Sequence, residues 1–429
     1  MSEADRFLSS VQAAYKRNDP DGIARLLDPL SAGTARVRAN LNAVPNLRPS
    51  SYTSHTKAFF SDNLPFADFV AAFLLFTRDA DTSADNAQSA LNAFELLTSC
   101  YSLAISILAG QESAWFVPTL RKLANALPNL AFKADSAAGD FKNTQAGIAS
   151  RLLTRSLSIC AAERDAVWPS KRNAVFFLAN QSFKVYFHLN NLRLCDTVVK
   201  NVRDAIDYLD TQYPRADRVT FSYYMGRMYL YQRRMRKAMY ELRKAFALCT
   251  NRQFKNKRLI LIYLITASLP LGYFPRPEML EAFNLQGPYE GLIRALKLGD
   301  YRQCLSELNT WREWHLSKGN YLLLKEKLEV ICWRNLARRT VLIHRALHPP
   351  QSNGPPTLPL STLLRSATAS FGTAEELDID DIEAMCASLM EQGYIKAYIW
   401  QSKGMLVLQK GERLGFPPVS SVRMVGDDA

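Results

Sequence analysis

The stretch that decides the fold lies near the C-terminus: Tyr394-Ile-Lys-Ala-Tyr-Ile-Trp400, then Gln-Ser-Lys-Gly404, then Met405-Leu-Val-Leu-Gln-Lys410. Two short runs rich in apolar and aromatic residues, on either side of a segment with a glycine, predict a β-hairpin. Apolar residues at helical spacing predict two helices before it, over 358–371 and 377–392, and Gly393 ends the second. Two helices followed by a hairpin is the order of a winged helix. The apolar side of the second helix is expected to hold Ile379, Ile382, Met385, Cys386, Leu389 and Met390.

Upstream of the winged helix, Pro349-Pro-Gln-Ser-Asn-Gly354-Pro-Pro356 is typical of a linker. Before this linker, apolar residues recur at helical spacing, and Gly226 and Ala238 lie where two antiparallel helices must approach closely. Such helix pairs predict a mainly α protein, a tetratricopeptide-like (TPR-like) helical-repeat solenoid that ends in a winged helix, although no strict 34-residue period is visible. We predict N-terminal helical repeats over 1–150, a helical-repeat region over 151–348, a linker over 349–357, a winged helix over 358–418 and a frayed tail over 419–429.

The composition describes a globular chain with a basic surplus. Its 429 residues are 48% hydrophobic and 22% charged, and the net charge is +13. No window holds the roughly 18 unbroken apolar residues that a membrane span needs, and the acidic N-terminus has no apolar segment typical of a secretory signal. The longest apolar run, 259–271, is expected to be a buried helix. Seven dispersed cysteines indicate reduced core thiols in the cytosol or nucleus.

The basic surplus is concentrated in the segment from Arg227 to Arg258. Eleven lysines and arginines stand there against one acid, Glu241. Helical phase turns Met235, Ala238 and Leu242 inward, and it turns Tyr240 outward together with the cations. Like charges on one surface repel each other, and phosphate groups are their usual compensation. The alternative is a solvated helix face. Arg227 and Arg258 are expected to be structural, with Arg258 pairing with an inner acid or capping a neighbouring helix.

The winged helix offers a second basic surface, but only on its hairpin. The segment from Ala374 to Glu391 carries seven acids and no lysine or arginine. These acids would oppose insertion of the helix into a nucleic-acid groove, and they suit the positive end of the helix dipole. The predicted nucleic-acid contacts, which are not sequence-specific, are Arg233, Arg234, Arg236, Lys237, Arg243, Lys244, Arg252, Lys255, Lys257, Lys396 and Lys403.

The sequence predicts a protein that is not an enzyme and holds no cofactor, because it contains no Gly-x-Ser-x-Gly motif, phosphate-binding glycine loop or dinucleotide fingerprint. His344 and His348 have the spacing of two zinc ligands but no third ligand nearby, so no metal site is predicted. Cys304 and His315 are interpreted as core residues rather than a nucleophile and its base. The aromatic stripe at Phe183 is interpreted as core, with a groove for a partner helix as the alternative.

Several longer motifs carry a resemblance. They are Asn180-Gln-x-Phe183-Lys-Val-Tyr186-Phe-x-Leu-Asn-x-Leu192, Tyr224-x-Gly226-Arg227, Lys255-Asn-Lys-Arg258-x-Ile260-x-Ile262-Tyr263-Leu264, Glu326-Lys-Leu328, Arg334-Asn-Leu336, Asp378-Ile-Asp380, Gly393-Tyr-Ile-Lys-Ala-Tyr-Ile399 and Phe416-Pro-Pro418. Over 170–418 the chain resembles PCI-domain proteins, named for the proteasome lid, the COP9 signalosome and initiation factor three. Within them it is similar to the PCI subunits of the transcription-and-export (TREX-type) complex and to the paralogous signalosome twelfth-subunit-like proteins.

The resemblance implies a set of partners and a location. The partners would be a large scaffold subunit with its own PCI-like region, a small acidic protein of the DSS/SEM type, and RNA or DNA, with no membrane. The location would be the nucleus, at the nuclear pore and envelope, with the cytoplasm as an alternative. The function would be to couple transcription to mRNA export. The competing interpretation is a pure protein-interaction subunit of a signalosome-like or splicing-linked PCI complex. The choice between the two paralogous groups, and between RNA and DNA, stays open.

Overall fold

A computed structural model describes residues 3–34, 37–38, 49–81, 86–163, 170–209, 213–349, 354–371, 377–411 and 413–423. These residues are mainly helical, with a small sheet near the C-terminus, so the predicted mainly α class is confirmed. The chain forms two compact units, Met1–Tyr224 and Met225–Ala429. The predicted domain boundary at 150 stays a prediction, and it falls inside helix α7. Four linker residues, 350–353, lie outside the described residues.

The first unit is built from helices in which sequence neighbours pack side by side. Residues of α8 illustrate the packing, because Phe183 is fully buried and Tyr186 is nearly so. The Phe183 ring lies 5.6 Å from that of Phe221. The aromatic stripe is therefore core rather than a groove for a partner helix. The helices are α1 Glu3–Lys16, α2 Pro20–Leu26, α3 Pro49–Phe59, α4 Leu64–Asp79, α5 Ala87–Leu108, α6 Val117–Ala138, α7 Thr144–Ala162, α8 Val175–His188, α9 Arg193–Leu209 and α10 Arg215–Tyr231, whose last seven residues belong to the second unit.

Helix α5 is long and apolar enough, by length and composition, to cross a membrane. It packs between α4 and α6, and Phe94, Leu97 and Tyr101 are almost completely buried. The Tyr101 hydroxyl shares a hydrogen bond of 2.9 Å with the hydroxyl of Ser156 on α7. A buried hydroxyl with a partner is the normal condition in a protein interior. The packing of α5 is that of a core helix.

The second unit continues the helical pairs. Gly226 on α10 faces Leu242, and a Cβ atom at Gly226 would lie 2.4 Å from the Leu242 Cγ. The close approach predicted at Gly226 is therefore present. The apolar run 259–271 forms most of the buried helix α12 and the turn after it. The helices are α11 Met235–Leu248, α12 Phe254–Ser268, α13 Pro277–Ala282, α14 Gln286–Leu298, α15 Tyr301–Thr310, α16 Arg312–Ser317, α17 Tyr321–Leu347, α18 Leu360–Phe371 and α19 Ile379–Glu391.

The predicted winged helix is present. Strands β2 (Ala397–Trp400) and β3 (Met405–Leu408) form the antiparallel hairpin, with Tyr398 opposite Val407. A third strand, β1 (Thr357–Pro359), pairs with the other side of β3 and was not predicted. Because β1 takes these residues, α18 begins at Leu360 rather than at residue 358.

Two expectations about the winged helix and the tail were wrong. Ile379 is 45% exposed, because Asp378 caps α19 and places Ile379 in the first turn, beyond the core. The tail is not frayed over 419–423, since Val422 is only 4% exposed and Val419 packs against Gly272. The last six residues, 424–429, lie outside the described residues.

Candidate nucleic-acid interface

Helix α11 displays the predicted cations on its outer side. Met235, Ala238, Leu242 and Ala245 are fully buried and fix the inner side of the helix. Lys237 and Arg243 are exposed, and Lys244 is half-buried. The loop and first turn that follow add Arg252 and Lys255, both exposed. We call the basic ridge the set Arg233, Arg234, Lys237, Arg243, Lys244, Arg252 and Lys255.

The basic ridge is only partly neutralised by the protein itself. Among the described residues, no carboxylate pairs with Arg234, Arg252 or Lys255. The guanidinium of Arg243 lies 5.3 Å from the centre of the Tyr273 ring, a cation–π contact that leaves its charge in place. These cations keep the basic character of the surface.

Arg233 is the exception within the basic ridge. It is paired with Glu326 of α17, and this partner lowers the pKa of the Glu326 carboxyl below its usual value. The backbone of Arg233 adopts a left-handed conformation, with φ of 62°, which residues other than glycine and asparagine rarely adopt. Arg233 was predicted as an unneutralised nucleic-acid contact, and the ion pair with Glu326 corrects that prediction at this position. The sequence could not predict this ion pair, because Glu326 lies 93 residues further along the chain and no local pattern connects the two residues.

Arg236 is a structural residue rather than part of an open surface. Its Nη2 donates hydrogen bonds of 2.7 Å to the carbonyl of Ser420 and 2.8 Å to the carbonyl of Val422. The arginine therefore fixes the C-terminal segment on α11. The prediction that Arg236 is unneutralised and available for phosphate is corrected by these two bonds.

Three further cations of the segment also act within the fold. The Lys257 ammonium donates to the Cys249 carbonyl at 3.0 Å, and it lies 4.7 Å from the centre of the Phe246 ring. Arg258 donates to the carbonyls of Phe283 and Asn284, at the C-terminus of α13. It caps a neighbouring helix, one of the two roles expected for it. Arg227 lies over the ring of Tyr263, at 4.8 Å.

Aromatic side chains stand exposed among these cations. Tyr231, Tyr240, Phe254 and Tyr273 are between 40% and 67% exposed. Of these, the sequence analysis placed only Tyr240 on the outer side, by its helical phase. The others were missed because tyrosine and phenylalanine are also the main core residues of this chain. Exposed rings beside cations are the two elements that proteins use to bind single-stranded nucleic acids.

The two wing lysines are exposed but differ in setting. Lys396 lines a groove of about 1040 Å³ together with Glu326 and Val422, the residues that contact Arg233 and Arg236. Lys403 lies in the turn between β2 and β3, with its ammonium 3.9 Å from the centre of the Trp400 ring. The structure thus connects Lys396 to the basic ridge through shared neighbours, and no described contact does so for Lys403.

The acids before α19 have a structural role. Asp378 accepts from the backbone N–H of Asp381 at 2.9 Å, and the Asp381 side chain accepts from the backbone N–H of Asp378 at 3.0 Å. This reciprocal capping box satisfies donors that a helix N-terminus leaves open. These two acids therefore stabilise the N-terminus of α19 through hydrogen bonds to its backbone, which is a structural role. Glu375 and Glu376 lie outside the described residues.

Two other pairs of residues, His344 with His348 and Cys304 with His315, were considered as parts of a metal site and of a nucleophile–base pair. The rings of His344 and His348 meet edge to face with their centres 4.8 Å apart. Within the described ranges, no group of three or more potential metal ligands forms around them. His315 is fully buried beside Trp314 and Tyr289, as expected of a core residue. Cys304 lies beside Cys332 in the same core.

Comparison with known proteins gives the family. No family model matches the chain. A PCI domain-containing protein of Schizosaccharomyces pombe, C1105.07c, is 33% identical over 368 residues, which cover 83% of this chain and 81% of that protein. PCI domain-containing protein 2 of Xenopus laevis is 30% identical over 326 residues, which cover 74% of this chain and 76% of that protein. The CSN12 homolog of Mycosarcoma maydis is 29% identical over 391 residues, which cover 86% of this chain and 84% of that protein. With its helical repeats and winged helix, the chain belongs to the PCI-domain proteins.

Proposed function

We propose that this PCI-domain protein is a non-catalytic scaffold subunit that contacts single-stranded nucleic acid through the basic ridge. One observation carries the proposal: exposed cations that no described carboxylate pairs, such as Arg252 and Lys255, stand among exposed aromatic rings. Phosphates would neutralise the cations, and bases would stack on rings such as Tyr240. Contacts of this kind do not depend on the base sequence.

The aromatic rings favour a single strand over a duplex. In a duplex the faces of the bases are hidden in the stack, whereas a single strand offers them to side chains. Tyr231 and Tyr240, which are 63% and 67% exposed, are the most available platforms. A ridge with cations alone would bind both forms through their phosphates.

The biological setting is a proposal that rests on resemblance. The motifs shared with TREX-type PCI subunits support a nuclear role at the nuclear pore, in which the protein couples transcription to mRNA export. They also support two protein partners, a large scaffold subunit and a small acidic protein of the DSS/SEM type. The Mycosarcoma maydis relative is named a CSN12 homolog, and this supports the second candidate, a pure interaction subunit of a signalosome-like complex. Arg233 and Arg236 bind groups of the protein itself rather than standing free for phosphate, and this also favours that candidate.

A binding titration tests the proposal. We would measure the fluorescence anisotropy of labelled 20-nucleotide single strands, oligo-U and oligo-dT, and of a duplex of the same length, between 50 and 200 mM salt. The test variant is the triple change R243Q/R252Q/K255Q, which removes three exposed cations. The control is K142Q/R151Q/R155Q, which removes three exposed cations from the first unit.

The expected result is a loss of about tenfold or more in single-strand affinity for the test variant. The slope of log affinity against log salt should fall by about two, at about 0.7 for each lost phosphate contact. The control should stay within about twofold of the wild type. Equal effects of the two variants, or no salt dependence, would reject the ridge as a nucleic-acid surface and favour the pure interaction subunit.

A further inference from the structure

A second arginine cluster, separate from the basic ridge, surrounds a buried guanidinium. Arg334 of α17 is only 8% exposed. Its Nη1 donates to the Asn335 side chain at 2.9 Å, and its Nη2 donates to the Pro417 carbonyl at 2.8 Å. Its Nε is buried and has no hydrogen-bond partner among the described residues. Buried charged groups are normally paired with an opposite charge, so this guanidinium lacks an expected partner.

A cavity of about 260 Å³ opens beside this guanidinium. Arg338 and Arg413 add two more positive charges to its wall, and no described carboxylate pairs with any of the three arginines. Val341, Leu414 and Phe416 form the apolar part of the wall. We call this cavity, which Leu342 and Pro418 also line, the Arg334 pocket.

The electrostatics of the Arg334 pocket favour an anion. Burial, and then repulsion from Arg338, lowers the pKa of Arg334 to about 10, so the group stays charged at neutral pH. An anion in the pocket would offset both effects, because its negative charge favours the charged guanidinium. Arginine suits such a role because its planar guanidinium can bind two oxygens of a carboxylate at once.

We propose that the Arg334 pocket binds a carboxylate side chain of an acidic partner peptide, whose adjacent apolar side chain packs on Val341 and Phe416. The proposal concerns a different surface from the basic ridge and does not depend on nucleic-acid binding. It assigns a docking site from the chemistry of the pocket alone.

Two features favour a peptide over a phosphate group or a nucleic acid. The cavity has room for on the order of nine water molecules, which exceeds the volume of one oxyanion. Its wall combines charged and apolar sides, and Leu342, which also lines it, is 41% exposed at the mouth. A segment that alternates acidic and apolar residues matches both sides, whereas a sugar–phosphate chain matches only the charged one.

The test uses a defined probe and a matched pair of variants of the full chain. The probe is a fluorescein-labelled peptide of three Asp-Leu-Glu-Phe repeats, and its control replaces the acids with Asn and Gln. Binding is followed by anisotropy at 150 mM salt. The test variant is R338Q/R413Q, which changes two exposed wall residues and leaves the buried Arg334 in place. The control variant is R302Q/R339Q, which removes two exposed arginines that do not line the pocket.

The expected result is a tenfold or greater weakening of peptide affinity in R338Q/R413Q and a change within twofold in R302Q/R339Q. Arg334→Lys, which keeps the charge but lacks the planar guanidinium that can bind two carboxylate oxygens, should also weaken binding. Equal affinities for the acidic and the amide peptide, or equal losses in both variants, would overturn the proposal. So would full displacement of the peptide by millimolar inorganic phosphate, or a loss confined to oligo-dT binding, since these results would assign the pocket to small anions or to nucleic acid.

Discussion

Arg236 donates a hydrogen bond of 2.8 Å to the carbonyl of Val422, a residue 186 positions further along the chain. This bond, with the one to Ser420, closes the second unit by holding its last described segment on α11. One run of cations therefore contains two kinds of residue. Arg236 binds the backbone of the C-terminal segment, whereas the side chains of Arg243 and Arg252 are exposed to solvent.

The change Arg236→Gln should therefore lower stability more than it lowers nucleic-acid affinity. Hydrogen bonds from a charged donor contribute about 1.5–3 kcal/mol, and the partly buried carbonyls of Ser420 and Val422 would lose their partner. Urea unfolding, followed by circular dichroism, measures the loss. Hydrogen exchange should rise over 419–423. Arg252→Gln makes the same charge change at an exposed site and should leave stability within about 0.5 kcal/mol of the wild type.

Gly226→Ala tests the helix crossing. A Cβ atom there would lie 2.4 Å from the Leu242 Cγ, so α10 and α11 must move apart. Overpacking of this kind costs about 1–3 kcal/mol, and we expect that loss in the free energy of unfolding. Among the described residues, nothing beyond the backbone of α7 itself and the chain neighbours lies within 4 Å of a Cβ atom built at Gly147. Gly147→Ala should stabilise the protein by about 0.5–1 kcal/mol. A stable Gly226→Ala variant would contradict the crossing.

The parts of the fold that leave a periodic signal could be predicted from the sequence. The hairpin of β2 and β3, the helix α19 and the close approach at Gly226 follow from local spacing and residue size. Strand β1 could not be predicted, because three residues before a helix carry no alternation that distinguishes them from a linker. Its pairing with β3 is a tertiary contact.

The candidate site was predictable in its charge but not in its partners. Helical phase placed Lys237 and Arg243 on the outer side of α11, where the structure has them. Glu326 and the Val422 carbonyl, which engage Arg233 and Arg236, come from segments far along the chain. The Arg334 pocket was missed for the same reason, since Arg413 approaches Arg334 only in the folded protein.

His315 should make stability depend on pH. Burial lowers its pKa from 6.5 to about 4, so the unfolded chain binds a proton that the folded chain does not. The contribution is complete above pH 6.5 and is lost as the pH falls toward 4. At about 1.4 kcal/mol per pH unit, the free energy of unfolding should fall by about 2 kcal/mol from pH 8 to pH 5. His315→Gln should lose that part of the slope, and an unchanged slope would contradict the assignment.

Asp378→Ala tests the structural role of the acids before α19. The variant loses the side-chain bond to the Asp381 backbone N–H, and removal of such a cap costs about 1 kcal/mol. Asp378→Asn keeps an acceptor oxygen and should retain most of the stability. Thermal unfolding compares the two variants. Equal stability losses in both would mean that the negative charge, rather than the cap, stabilises the helix.

Glu326→Gln should strengthen nucleic-acid binding if the basic ridge is the interface. The change breaks the ion pair with Arg233, so a guanidinium that is about half exposed becomes available to phosphate. It also removes a negative charge from the groove that Lys396 lines. We expect single-strand affinity to rise by about two- to fivefold at 50 mM salt, and the gain should shrink toward 200 mM because salt screens exposed charges. Glu313→Gln changes an exposed acid of α16 by the same charge and should alter the affinity less. If both changes raise the affinity equally, net charge alone explains the gain, and Arg233 has no direct part in binding.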